Sequence, residues 1–202
     1  MTRKTIAFTI ALLIICAGLG GCGRTEPQPL SEDELAYFNG NDFFNGEYLC
    51  IRNQFLSSLY DKPEKIDLFE LFYVGSGFIE ICPEEERMAV VAENGWEQEP
   101  DCGCTKISRA AMDEVLRTHT GKSFDETEKV GLEKFTYLEQ YDAYYYFHGD
   151  TNYRPKISFS GGETEGSVVR LFYRDRFLGG GDKTLTLRKQ DGGYLFASNL
   201  VK

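Results

Sequence analysis

The chain has 202 residues, 42% of them hydrophobic, and a formal net charge of −10. That length buries one sizeable core and hardly two. The acidic balance, without any basic stretch interleaved with aromatics, argues against nucleic acid or another polyanion as partner.

At the amino terminus a short basic run, Met1 to Lys4, precedes 17 apolar or small residues, Thr5 to Gly21. A membrane-spanning helix needs about 20, so the run reads as an export signal. Its end, Leu19-Gly20-Gly21-Cys22, resembles the lipobox of bacterial lipoproteins, in which an apolar residue and two small ones precede the cysteine that receives diacylglycerol. The resemblance implies a signal peptide over residues 1–21 and a lipidated Cys22 at the extracytoplasmic face of the cell membrane. Two acyl chains there supply the stable attachment that one chain does not. Residues 22–30 then form a proline-containing tether, and 31–202 a single domain. Removing the signal takes away Arg3 and Lys4 and leaves 20 basic against 32 acidic side chains, net −12. Residues 61–101 carry 12 of those acids against Lys62, Lys65 and Arg87, which reads as a solvated face.

The first two thirds of the domain read as helical. Ser31 to Glu34 is a capping-box pattern that opens a helix with Leu35 and Phe38 inward. Asp67 caps a short turn that buries Leu68, Leu71 and Phe72. Pro83 starts a helix, with Glu84, Glu85 and Glu86 at the positive end of its dipole, Met88, Val91 and Ala92 inward, and Asn94-Gly95 as its stop. Ser108 caps another, with Met112, Val115 and Leu116 on one face and Gly121 at its end; His119 there reads as a cation at the negative pole. Ser123 to Glu126 is a second capping box. Tyr48 to Leu59 fits either a strand or a helix.

In the last third the period changes to two: Ile157 and Phe159, then Val169, Leu171 and Tyr173, then Leu185 and Leu187, then Tyr194 and Phe196. Gly161-Gly162, Gly179 to Gly181 and Asp191-Gly192-Gly193 read as the connections, the last as a tight hairpin. The expected fold is α+β, with helices packing on one face of a C-terminal four-stranded antiparallel sheet and Thr184, Thr186 and Arg188 on the other.

Beyond its signal, the chain resembles a group of uncharacterised lipoproteins from anaerobic Gram-positive bacteria. The likeness rests on YDKPEKIDLFELFYVG (Tyr60 to Gly75), YDAYYYFHGDTNY (Tyr141 to Tyr153) and LTLRKQDGGYLFASN (Leu185 to Asn199). It implies an anchored envelope protein and brings no catalytic residues with it.

Cys50, Cys82, Cys102 and Cys104 lie outside those stretches. In an exported domain four thiols favour two disulfides, with Cys102 and Cys104 each pairing with Cys50 or Cys82. The competing reading is a four-sulfur metal site, which the single C-x-C spacing supports poorly. A reduced set is the third.

The segment Tyr141 to Tyr153 holds one of two histidines, two carboxylates and five tyrosines. As a site it offers His148 as general base, Asp150 as its partner, and tyrosines such as Tyr144 and Tyr146 as a stacking floor for an envelope glycan, peptide or protein; Asp150 and Asn152 also supply oxygens two apart for calcium, without the further acids of an EF-hand. As a packed turn it offers Gly149-Asp150-Thr151-Asn152, whose side chains bond their own backbone, and this is the preferred reading. Without a nucleophile motif or a cofactor signature, the sequence leans toward a binding or accessory module. The alternative is an extracytoplasmic hydrolase using His148 and Asp150.

Overall fold

The computed structural model describes residues 26–46, 50–75, 80–149, 156–176 and 178–202. Cys22, with the signal and the tether as far as Thr25, and Asp150 and Asn152 lie outside the described residues. In chain order the elements are β1 (Gln28–Pro29), α1 (Glu32–Asn39), α2 (Ile51–Gln54), α3 (Leu68–Phe72), α4 (Glu84–Glu93), β2 (Gly103–Ser108), α5 (Arg109–Thr120), β3 (Thr136–Leu138), β4 (Ala143–His148), β5 (Phe159–Glu165), β6 (Val168–Arg174), β7 (Asp182–Gln190) and β8 (Gly193–Val201).

The protein is a mixed helix and sheet structure whose C-terminal part is an antiparallel sheet. Its inward residues are the alternating ones: Phe159, Val169, Leu171, Tyr173, Leu185, Leu187 and Phe196 are all buried, while Thr184 and Thr186 are half-buried on the opposite face and Arg188 is exposed. The sheet has five strands rather than four, in the order β1-β5-β6-β7-β8. The extra strand comes from the segment expected to be tether: Gln28 pairs with Thr164, Pro29 with Glu163, and Leu30 N–H donates to the Gly162 carbonyl at 3.0 Å. Proline is tolerated there because β1 is an edge strand.

Gly161-Gly162 is a second correction, since it lies within β5 and not in a turn. A bulge falls between Phe159 and Gly161, and a Cβ on Gly162 would meet the Arg170 carbonyl oxygen at 2.6 Å and Leu30 Cδ1 at 2.7 Å. The glycine is there for close approach of β1, and the turn itself uses Gly166 at φ +59°. The tight hairpin at Asp191-Gly192 is as expected, with Gln190 opposite Gly193 and Gly192 at φ +79°.

Locally specified helix starts are where the sequence puts them. Ser31 and Glu34 form a reciprocal capping box, Asp67 Oδ1 accepts from Glu70 N–H at 3.0 Å, and Ser108 Oγ accepts from Ala111 N–H at 3.2 Å. The undecided Tyr48 to Leu59 segment contains the short α2; Tyr48 and Leu49 lie outside the described residues. Helix α4 turns a different face inward from the one expected. Val91 is buried as expected, but Met88 is 50% exposed and Ala92 is exposed, and Glu86 and Val90 are buried in their place.

The first two thirds also hold a second, three-stranded antiparallel sheet in the order β2-β4-β3, which the helical reading did not include. Two asparagines join the early segment to the start of β5 by imitating a strand. Asn39 exchanges two hydrogen bonds with the backbone of Phe159 (2.7 and 3.0 Å), and Asn45 does the same with Ile157 (2.8 and 2.9 Å).

Candidate functional site

The residues Ala143 to His148, weighed as turn or site, are the central strand of the three-stranded sheet. Alternation therefore divides them between two faces. Tyr144, Tyr146 and His148 share one, and Ala143, Tyr145 and Phe147 the other.

On the first face Tyr144 is buried in the main core at 8% exposure, and Tyr146 and His148 are half-buried. The Tyr146 ring meets Phe69 edge-on at 4.7 Å and stacks with the His148 imidazole at 5.8 Å and 15°. Three polar contacts fix that imidazole. Thr105, cross-strand from Tyr146, donates its hydroxyl to the Tyr73 carbonyl at 3.0 Å; the same oxygen lies 2.7 Å from His148 Nε2, and His148 Nδ1 lies 3.1 Å from the Gly149 carbonyl. The Thr105 hydroxyl has one proton, and it goes to the Tyr73 carbonyl, so the Thr105 oxygen faces the ring with its lone pairs. Beside this group burial, together with Asp67, pushes the Glu70 carboxyl up, and burial with Glu70 and Tyr146 pushes the Tyr73 hydroxyl up. The sequence grouping of Tyr144, Tyr146 and His148 is thus one face of one strand, packed against Phe69 and Phe135.

The opposite face carries a charge cluster that no sequence signal marked. Lys106 and Tyr145 are cross-strand partners, and both reach Glu86 of α4. Lys106 Nζ lies 2.9 Å from Glu86 Oε1, and the Tyr145 hydroxyl, with no exposed surface, donates to Glu86 Oε2. Burial pushes the Glu86 carboxyl up, but the hydrogen bonds from Lys106 and Tyr145 outweigh it and hold the group below the usual carboxylate range. This explains the rotated inward face of α4, because a buried carboxylate with two partners replaces the expected methionine.

A concave site lies elsewhere, where the β7–β8 hairpin tip meets α1, α2 and the end of α5. Its volume is about 380 Å³, within the range of ligand sites. Tyr37, Phe43 and Tyr194 form an aromatic wall, with Phe43 and Tyr194 edge-on at 5.5 Å and Tyr37 6.4 Å from Tyr194. Arg52 lines it with its guanidinium 4.9 Å over the Phe43 ring, donating to the Phe43 carbonyl at 3.2 Å; among the described residues no carboxylate pairs with it. Arg117 is paired with Asp113, and Asp191 is the acidic residue of the lining. His119 also lines it, and the expected cation is corrected here. Burial against Phe55 and Phe196, with Arg52 nearby, lowers its pKa from 6.5 to about 4, so the ring is neutral.

All four described cysteines are free thiols. Cys50 is buried and donates to the Phe43 carbonyl at 3.7 Å, Cys102 is exposed, and Cys104 donates to Cys82 with the two sulfurs 3.1 Å apart. The two expected disulfides are therefore not formed, and among the described residues only Cys82 and Cys104 are in contact as a pair. Among these residues no group of three or more His, Cys, Asp or Glu is placed to hold a metal ion, and no helix is long and apolar enough to cross a membrane.

No family model, no curated protein and no solved structure matches this chain.

Proposed function

We propose that this chain is a lipid-anchored extracytoplasmic binding module of the cell envelope, attached through Cys22, that holds a carboxylate-bearing peptide or glycan in the cavity walled by Tyr37, Phe43 and Tyr194. The attachment is supported by the basic start, the apolar run and Leu19-Gly20-Gly21-Cys22, and membership of the lipoprotein group named above by the stretches Tyr60 to Gly75, Tyr141 to Tyr153 and Leu185 to Asn199. The observation that carries the ligand is Arg52, a guanidinium at an aromatic-walled cavity whose hydrogen bonds go to backbone carbonyls and leave donors for a carboxylate. Tyrosine faces suit sugar rings and peptide planes, and the neutral His119 adds an uncharged donor and acceptor. The Tyr144 to His148 strand is then the scaffold of the domain.

The test uses the full-length protein in detergent micelles, titrated with oligogalacturonate, and with a short peptide in free-acid and amidated forms. Saturable binding is expected to one of the free acids, lost on amidating the peptide or neutralising the glycan, and weakened about tenfold or more by Arg52→Met with the melting midpoint monitored. Equal binding of acid and amide, or of wild type and variant, would remove the cavity from this reading. For the anchor, wild type should partition with membranes and Cys22→Ala should not; a wild-type protein recovered soluble with an unmodified amino terminus refutes it.

A further inference from the structure

We propose that Cys82 and Cys104 are a reversible redox pair, closed to a disulfide by exchange with a low-molecular-weight disulfide that enters at Cys102. Register is the first support. Glu80 and Lys106 form an antiparallel bridge, so two residues on from Glu80 and two back from Lys106, Cys82 comes opposite Cys104. Directly opposed antiparallel residues have Cα atoms about 4.5–5.5 Å apart, inside the range of about 4.4–6.8 Å that disulfides use. The segment is held in that register independently, because Glu80 Oε1 accepts from Ser108 N–H at 2.9 Å and Arg87 Nη1 donates to the Cys82 carbonyl at 3.3 Å. Closing sulfurs that lie 3.1 Å apart to a bond of about 2.05 Å needs movement of about 1 Å, within reach of side-chain rotation.

Access is the second support. The pair is half-buried in the wall of a cavity of about 620 Å³, and the exposed Cys102, one glycine from Cys104, lines the same cavity. Burial pushes both paired thiols up, Cys104 the further because its S–H is engaged with Cys82. Neither is suited to make the first attack, since the thiolate is the nucleophile. Cys102 is exposed to solvent and meets the external disulfide first.

The chemistry balances without any other reactant. The Cys102 thiolate attacks one sulfur of R–S–S–R, the S–S bond breaks, and RS⁻ leaves with Cys102 held as a mixed disulfide. One thiol of the pair loses its proton and attacks the Cys102 sulfur, expelling the second RS⁻. The other loses its proton and attacks its neighbour's sulfur, releasing Cys102 as the thiolate. Two thiols are oxidised, one external disulfide is reduced to two thiols, and Cys102 is regenerated. Excess external thiol runs the sequence backwards. The closed bond would staple the lead-in of α4 to β2, over the Glu86, Lys106 and Tyr145 cluster.

The test is thiol trapping of the full-length protein in detergent, equilibrated in glutathione buffers of graded ratio, acid-quenched, alkylated and mapped by fragment mass spectrometry. In oxidising buffer one protein cross-link is expected, Cys82 to Cys104, with Cys50 alkylated and Cys102 divided between alkylated thiol and glutathione adduct, and in reducing buffer all four alkylated. In the time course a glutathione adduct on Cys102 should precede the cross-link. Cys102→Ser should leave the equilibrium ratio unchanged and slow closure about tenfold or more. Alkylation of both Cys82 and Cys104 in the most oxidising buffer, or a cross-link that runs to Cys50 or rests on Cys102, overturns the pair. Closure of Cys102→Ser at the wild-type rate, or a first adduct on Cys82 or Cys104, overturns the route through Cys102.

Discussion

Tyr145 of β4 donates its hydroxyl to Glu86 of α4, and the lysine opposite that tyrosine, Lys106, occupies the other oxygen of the same carboxylate. Helix and sheet are therefore joined by a carboxylate that is only 7% exposed. A buried pair is weak evidence for net stability, but removing one partner leaves the other uncompensated. Glu86→Ala should accordingly cost about 2–4 kcal/mol, read from urea unfolding, the partial exposure of Lys106 keeping it below the limit for a fully buried pair. Replacing Glu86 and Lys106 together by methionine should cost less than the two single changes added. Full additivity would mean that the two charges do not interact.

His119 gives a pH dependence with a definite sign. Its pKa is about 4 in the folded protein against 6.5 for the free side chain. Below pH 6.5 the unfolded chain binds a proton that the native state refuses, so stability is fully present above 6.5 and falls as pH drops toward 4. The loss should reach up to about 2 kcal/mol by pH 5, before most carboxylates titrate. His119→Gln should flatten the curve of unfolding free energy between pH 6.5 and 5; an unchanged slope there would show that the ring is not held neutral.

Features governed by near neighbours were legible in the sequence. Ser31, Asp67 and Ser108 cap helices because a capping oxygen needs only a backbone N–H two or three residues away. The C-terminal strands were legible because period two persists through Val169, Leu171 and Tyr173 and again through Leu185 and Leu187. What escaped depends on partners distant in the chain. Glu86 looks like one of three dipole-facing acids until Lys106 and Tyr145 are set against it. Gly162 reads as half of a turn because nothing local shows that Leu30 will lie on it. Strand β3 is three residues long, too short for alternation to register, and its partner β4 reads as a tyrosine-rich approach to a turn. Of the candidate site, the grouping of Tyr144, Tyr146 and His148 was legible; the Arg52 cavity was not, since α2, α5 and the hairpin that line it are separated by more than half the chain.

Gly162 supplies the third prediction. A methyl group there would meet both the Arg170 carbonyl oxygen at 2.6 Å and Leu30 Cδ1 at 2.7 Å, and both contacts must open. The carbonyl belongs to the β5–β6 ladder and is hard to move, so the side chain and the two-residue β1 should yield first. Gly162→Ala should cost about 1–3 kcal/mol and raise amide exchange at Leu30, whose N–H bonds the Gly162 carbonyl. Unchanged protection at Leu30 would show that β1 is not held by this contact.

The last prediction concerns Thr105 and His148, the polar contact at the end of β4. Thr105 is buried at 9% exposure, and its single hydroxyl serves both the Tyr73 carbonyl and the His148 ring. Thr105→Val keeps the shape and removes the oxygen, leaving a carbonyl without its donor and an imidazole without its partner. An unsatisfied buried group costs about 1–3 kcal/mol. His148→Ala removes the ring but leaves Thr105 bonded to Tyr73, and its main loss is the stack on Tyr146, so its cost should be the smaller. The two residues share one oxygen, so the double variant should be less destabilised than the sum of the singles by about 0.5–1.5 kcal/mol. Chemical denaturation of the four proteins measures this coupling. Zero coupling would mean that Thr105 serves Tyr73 alone and that the imidazole is held by its stack on Tyr146 and its contact with Gly149.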